Sequence, residues 1–85
     1  MKKKWYMYVA ECADNSLYTG ITTDIIRRLD EHNTKPSGAK YTRSRRPVNI
    51  VYCARFDSRS SASKAEAAFK KLSRQKKLEI VNENR

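Results

Sequence analysis

Residues 5–21, Trp-Tyr-Met-Tyr-Val-Ala-Glu-Cys-Ala-Asp-Asn-Ser-Leu-Tyr-Thr-Gly-Ile, decide the fold. Trp5 to Ala10 are aromatic, β-branched or small and apolar, which suits a strand. Both alternating sets are apolar, so this strand reads as the centre of a sheet covered on both faces. Asp14, Asn15 and Ser16 form a turn cluster. Leu17 to Ile21 then reads as a second strand, folding back as a hairpin. Beyond it, Thr23 or Asp24 can cap a helix running to about Asn33, with Ile25, Ile26 and Leu29 as its apolar stripe. Residues 34–47 hold Pro36, Gly38 and Pro47 among basic and small polar residues and read as a long loop. Val48 to Phe56 is a third strand. Ser60, Ser61 or Ser63 opens another helix to about Leu72, and Ser63 with Glu66 has capping-box spacing. Ser73 caps a last helix to about Asn82. The order ββαβαα predicts an α+β domain, a small three-stranded antiparallel sheet flanked by about three helices.

A length of 85 residues allows one domain, 1–85, with its core over about 4–82. Lys and Arg total 19 against 9 Asp and Glu, a formal net charge of +10. That imbalance is the footprint of a polyanion binder, and nucleic acid is the expected partner. No apolar run approaches the roughly 20 residues of a membrane helix. No long helix opposes a basic face to a bulky apolar one, so no membrane partner is expected. The basic Met1-Lys2-Lys3-Lys4 start reaches Glu11 and Asp14 too soon to be a secretion signal. Cys12 and Cys53 lack Cys-x-x-Cys spacing and the chain has one His, which argues against a disulfide or a zinc site. Free thiols in a reducing cytoplasm are expected. Nothing requires a second copy, and a monomer is expected.

The informative residues are polar ones on faces that the pattern assigns to the interior. At about 100° per residue, His32 falls about 20° from Ile25 and Arg28 about 60° from it. Arg28 and His32 are thus an i,i+4 pair on the stripe facing the sheet. The plain alternative is that Arg28 snorkels past the sheet edge while His32 caps nearby carbonyls. In the next helix Ala62, Ala65, Phe69 and Leu72 make the stripe, and Glu66 lies about 40° from Ala62, at its margin. Glu66 either pairs with Lys70 or ligates a divalent ion. In the hairpin, Tyr6, Tyr8 and Ala10 share one face, as do Tyr18 and Gly20. Two phenols can meet there, Gly20 leaving room for a close approach; equally, tyrosines simply bury well in strands.

These residues make the chain similar to the GIY-YIG nuclease superfamily, and most to its small stand-alone bacterial branch designated UPF0213. The first signature stands here as Tyr6-Met7-Tyr8 and the second as Tyr18-Thr19-Gly20. The helix motif follows as Arg27-Arg28-Leu29-Asp30-Glu31-His32-Asn33. The segment from Lys64 to Leu72 resembles the helix carrying the family's metal-binding glutamate, which places that role on Glu66. The resemblance covers essentially the whole chain. It implies a three-stranded antiparallel sheet with flanking helices and a metal-dependent nuclease with one Mg²⁺ or Mn²⁺. The catalytic set it implies is Tyr8, Tyr18, Arg28, His32 and Glu66, with Tyr41 where a further residue would come from. Tyr8 is the first candidate for general base, with the reverse assignment to Tyr18 open. Arg28 suits phosphate oxygens, and His32 would relay a proton or hold the tyrosine.

Lys40, Arg43, Arg45 and Arg46, extended by Lys70, Lys71 and Arg74, would form a phosphate track; each is otherwise a solvated charge. Lys76 and Lys77 would extend it further. DNA is favoured over RNA as substrate, in repair or processing, cut structure-selectively or without specificity. The other reading is a noncatalytic nucleic-acid-binding module on the same fold. The two part on whether Tyr8, Tyr18, Arg28, His32 and Glu66 converge.

Overall fold

The computed structural model describes residues 4–35 and 38–83. The chain ends, and Pro36 and Ser37 of the expected loop, lie outside the described residues. The elements are β1 (Trp5–Glu11), β2 (Leu17–Thr22), α1 (Ile25–Thr34), α2 (Lys40–Arg43), β3 (Asn49–Phe56), α3 (Arg59–Lys70) and α4 (Arg74–Glu83). The sheet is antiparallel, in the order β2-β1-β3. β1 is central, and Met7, Tyr8, Val9 and Ala10 are buried in succession, as a strand covered on both faces must be.

The hairpin turns through Asn15, whose φ of 67° lies in the left-handed region that Asn tolerates. Asp14 accepts the Ser16 amide at 3.0 Å, closing the turn with its own side chain. Tyr8 faces Gly20 across one ladder and Cys53 across the other. A bulge at Val9/Ala10 leaves Val51 without a direct partner on β1.

Each face of the sheet has its own apolar cluster. Met7 and Val9 pack with Phe69 of α3 and Val81 of α4. Tyr8 and Ala10 pack with Cys12 and Val48, and with the half-buried Tyr18 and Ile25. The only buried residue of α1 is His32. Asp24, rather than Thr23, caps α1, accepting the Arg27 amide at 3.0 Å. Asn33 ties the far end of α1 to β3: it donates to Val48 O at 2.9 Å and accepts the Val48 amide at 2.7 Å.

Three local expectations need correction. Ile26 is 84% exposed and leaves the stripe, because α1 rolls so that His32, not Ile26, meets the sheet. The segment expected as loop holds the single turn α2, too short to carry a helical period. α3 starts earlier than Ser60, Ser61 or Ser63: Ser58 is its cap, accepting the Ser61 amide at 3.1 Å. Several serines there can cap, and the end of β3 selects the first of them. Ser63 and Glu66 lie inside the helix and form no capping box. Ser73 does cap α4, accepting the Lys76 amide at 3.2 Å. Among the described residues no helix is long and apolar enough to cross a membrane, and Cys12 and Cys53 are free.

Candidate active site

The site is built on the glycine of the hairpin. A Cβ at Gly20 would stand 2.6 Å from Tyr8 Oη and 2.8 Å from Tyr8 Cζ. The phenol therefore lies flat over Gly20, and no other residue at position 20 permits that approach. Tyr8 is 1% exposed, so its hydroxyl must find partners inside the protein.

It finds one on α1. Tyr8 Oη is 2.7 Å from His32 Nε2, and the Arg28 guanidinium acts on the same phenol, favouring its ionised form. Arg28 also reaches Glu31 at 3.1 Å. On the other side of the imidazole, His32 Nδ1 is 3.0 Å from Thr42 Oγ1 on α2. Thr42 Oγ1 in turn donates to Ala39 O at 2.9 Å. Tyr18 borders the pair, its ring 5.4 Å from the imidazole and 6.4 Å from the Tyr8 ring. Tyr41 stacks on Tyr18 at 6.0 Å.

This environment keeps both titratable groups neutral. Burial raises the Tyr8 pKa to about 12; the Arg28 bond and charge oppose the rise, while Tyr18 and Glu66 add to it. Burial lowers the His32 pKa to about 4; the Arg28 and Arg46 cations add to that, and Glu31 opposes it.

Glu66 projects from α3, which packs against β1 and β2. Its charge acts on Tyr8, and its carboxylate is 3.5 Å from Lys70 with the side chain 24% exposed. Among the described residues no three His, Cys, Asp or Glu side chains gather around a common point. One carboxylate whose charge reaches the phenol still fits a hard cation of the Mg²⁺ type, which keeps several waters and takes phosphate oxygens as its other ligands. The donor set does not fit an ion held by protein alone.

The expected basic residues divide by what they touch. Arg46 donates from Nε to His32 O and from Nη2 to Lys35 O at 2.7 Å, capping the C-terminal end of α1. Arg45 is held by Asp14 at 3.1 Å and Tyr41 O at 2.8 Å, with its guanidinium 4.0 Å from the Tyr41 ring centroid. Arg74 donates to Asn15 O at 2.9 Å. Lys40, Arg43 and Lys71 are exposed.

Tyr8, Tyr18, Arg28 and His32 thus come together, with Glu66 in electrostatic reach of the phenol. Thr42 and Gly38, which the sequence did not single out, are part of the arrangement. A Cβ at Gly38 would stand 2.5 Å from Glu31 O and 3.0 Å from His32 Cα. Gly38 lets the segment bearing α2 lie against α1 and bring Thr42 to His32. No local pattern marks either residue.

Fold and site together define a class: a small α+β domain in which a hairpin tyrosine, laid over a glycine, is gripped by an arginine and a histidine of the next helix. The chain belongs to the GIY-YIG catalytic domain family, whose profile matches residues 4–79, and within it to the UPF0213 proteins. A UPF0213 protein of Desulfotalea psychrophila is 54% identical over 77 residues, 91% of this chain and 70% of that relative. One from Streptococcus agalactiae is 52% identical over 80 residues, 94% of this chain and 90% of its own. The solution NMR structure of a UPF0213 protein from Bacillus halodurans superposes with a TM-score of 0.60 at 44% identity, covering 93% of this chain and 83% of that one.

Proposed function

We propose that the protein is an endonuclease that hydrolyses phosphodiester bonds in DNA with the help of one Mg²⁺ or Mn²⁺. It would act structure-selectively or without sequence specificity, in repair or processing. The observation that carries this reading is the buried Tyr8 phenol 2.7 Å from His32 Nε2, with the Arg28 cation acting on the same phenol. A phenol with a pKa near 12 is a poor base unless its own proton can leave. Here it can. As Tyr8 takes the proton of the attacking water, the phenol proton passes to His32 Nε2. The new water oxygen–phosphorus bond forms as an ester oxygen–phosphorus bond breaks, and the leaving oxygen takes a proton from solvent water. The bound phosphodiester brings negative charge that offsets Arg28 and eases formation of the imidazolium. Arg28 meets the phosphate oxygens with its fork of N–H donors. Glu66 is the ligand for the ion, which would supply Lewis-acid stabilisation of the phosphate and lower the phenol pKa. Lys40, Arg43 and Lys71 hold the flanking backbone.

The test is cleavage of labelled single-stranded, duplex and branched DNA, and of RNA, with Mg²⁺, Mn²⁺ or EDTA. Metal-dependent cleavage, lost in Arg28→Ala and in Glu66→Gln, is expected. Binding without cleavage in every condition would instead leave a nucleic-acid-binding module on this fold.

A further inference from the structure

We propose that Thr42 is a positioning residue for this site: its hydroxyl fixes His32 in the Nδ1–H tautomer and so presents Nε2, bare, to the Tyr8 phenol. The catalytic consequence rests on the nuclease reading; the tautomer itself does not.

The assignment follows from counting protons. A threonine hydroxyl has one. Thr42 Oγ1 lies 2.9 Å from Ala39 O, a carbonyl that only accepts and that also takes the Thr42 and Arg43 amides; placing the hydroxyl proton there is the one assignment that makes both contacts of Oγ1 hydrogen bonds. Oγ1 then has only lone pairs for His32 Nδ1 at 3.0 Å, and Nδ1 must donate. A neutral imidazole carries one N–H. Nε2 is therefore an acceptor, and Tyr8 Oη at 2.7 Å donates to it. The other end of the chain agrees with this arrangement. A guanidinium only donates, so toward Arg28 the phenol oxygen acts as acceptor, and its proton is available to His32. In the opposite tautomer the phenol would receive Nε2–H and have to send its proton to an acceptor other than His32, and Thr42 would have to give up Ala39 O to donate to bare Nδ1.

The polarity is useful as well as consistent. Every donor from Arg28 to Thr42 points the same way, ending on a backbone carbonyl. A proton arriving at Tyr8 Oη can displace the phenol proton onto Nε2 while Nδ1–H stays on Thr42. No other described side chain is hydrogen-bonded to Nδ1. Thr42 reaches it across a gap of ten residues, with Gly38 lying close against Glu31 and His32 of α1.

The test uses the chain's single histidine, which makes the spectrum unambiguous. Long-range ¹H–¹⁵N spectra of the ¹⁵N-labelled full chain at neutral pH should show a protonated Nδ1 and a bare Nε2. Thr42→Ser should keep that pattern, and Thr42→Val should populate the Nε2–H form. An Nε2–H imidazole in the parent protein overturns the proposal without any variant, should Thr42→Val fail to fold. So does a folded Thr42→Val with the tautomer unchanged. In cleavage assays Thr42→Val should lower kcat on the order of 100-fold without raising KM, and Thr42→Ser should restore it; full activity in Thr42→Val also overturns the proposal. If the parent protein cuts nothing, the nuclease reading fails, and the spectra still decide for or against Thr42.

Discussion

Gly20→Ala should uncouple the hairpin from the site. β1 and β2 are locked in register with Tyr8 directly opposite residue 20, so neither strand can withdraw without breaking the ladder. The added Cβ, 2.6 Å from Tyr8 Oη and 2.8 Å from Cζ, must therefore displace the phenol. Overpacking of this kind costs about 1–3 kcal/mol. The displaced hydroxyl leaves His32 Nε2 buried without a partner, for about 1–3 kcal/mol more. Losing glycine's freedom in the unfolded chain offsets about 0.4–1 kcal/mol. The net is a destabilisation of about 1–6 kcal/mol, on a domain whose whole stability is about 4–13 kcal/mol. Urea unfolding of the parent, Gly20→Ala, Tyr8→Leu and the double variant measures it. Leucine does not extend to the ring positions that the Cβ meets, so alanine at 20 should cost less in the Tyr8→Leu background. A Gly20→Ala protein as stable as the parent would refute the close-approach argument.

The neutral His32 makes stability depend on pH. Its pKa is about 4 in the fold against 6.5 unfolded, so between these values the unfolded chain binds more protons and stability rises with pH. About 3 kcal/mol should be lost as pH falls from 6.5 towards 4. His32→Gln should remove that part of the slope in urea melts, and parallel profiles would count against it. At the alkaline end, Tyr8 is held protonated to about 12 against 10.0. Its contribution is complete below pH 10 and lost as pH rises towards 12; Tyr8→Phe should flatten that limb. Calorimetric titration of the free protein with Mg²⁺ should give no saturable heat, because Glu66 is a lone carboxylate; binding should appear with uncleavable DNA present and vanish in Glu66→Gln. Tight binding to the free protein would contradict this. In fluorescence anisotropy, Lys40→Ala, Arg43→Ala and Lys71→Ala should each flatten the dependence of log affinity on log salt by about 0.9 on duplex DNA. Arg46→Ala should instead lower the melting temperature and leave that slope unchanged, since its guanidinium serves α1 carbonyls.

The sequence by itself determined the strands, the long helices and their order. Those rest on local signals: the doubly apolar run at Trp5 to Ala10, the Asp14 to Ser16 turn, the pair of cap candidates Thr23 and Asp24, and the Ser73 cap. It also placed Arg28 and His32 on the sheet-facing side of α1, because helical phase is a local property. It did not determine how far round α1 the contact with the sheet extends, so Ile26 falls outside the stripe, nor which serine caps α3. Tertiary structure decided what the polar residues do. Tyr8 and His32 are 24 residues apart and His32 and Thr42 ten, and no periodicity reaches across such gaps. Arg45, Arg46 and Arg74 looked like other surface cations until the fold brought carbonyls and Asp14 within their reach. Gly20 was legible as a place of close approach, but not what fills it. That the Tyr8 phenol does, and that Gly38 lies against Glu31 and His32, follows from packing and not from either glycine's backbone angles; contacts between separate segments exist only in the packed molecule.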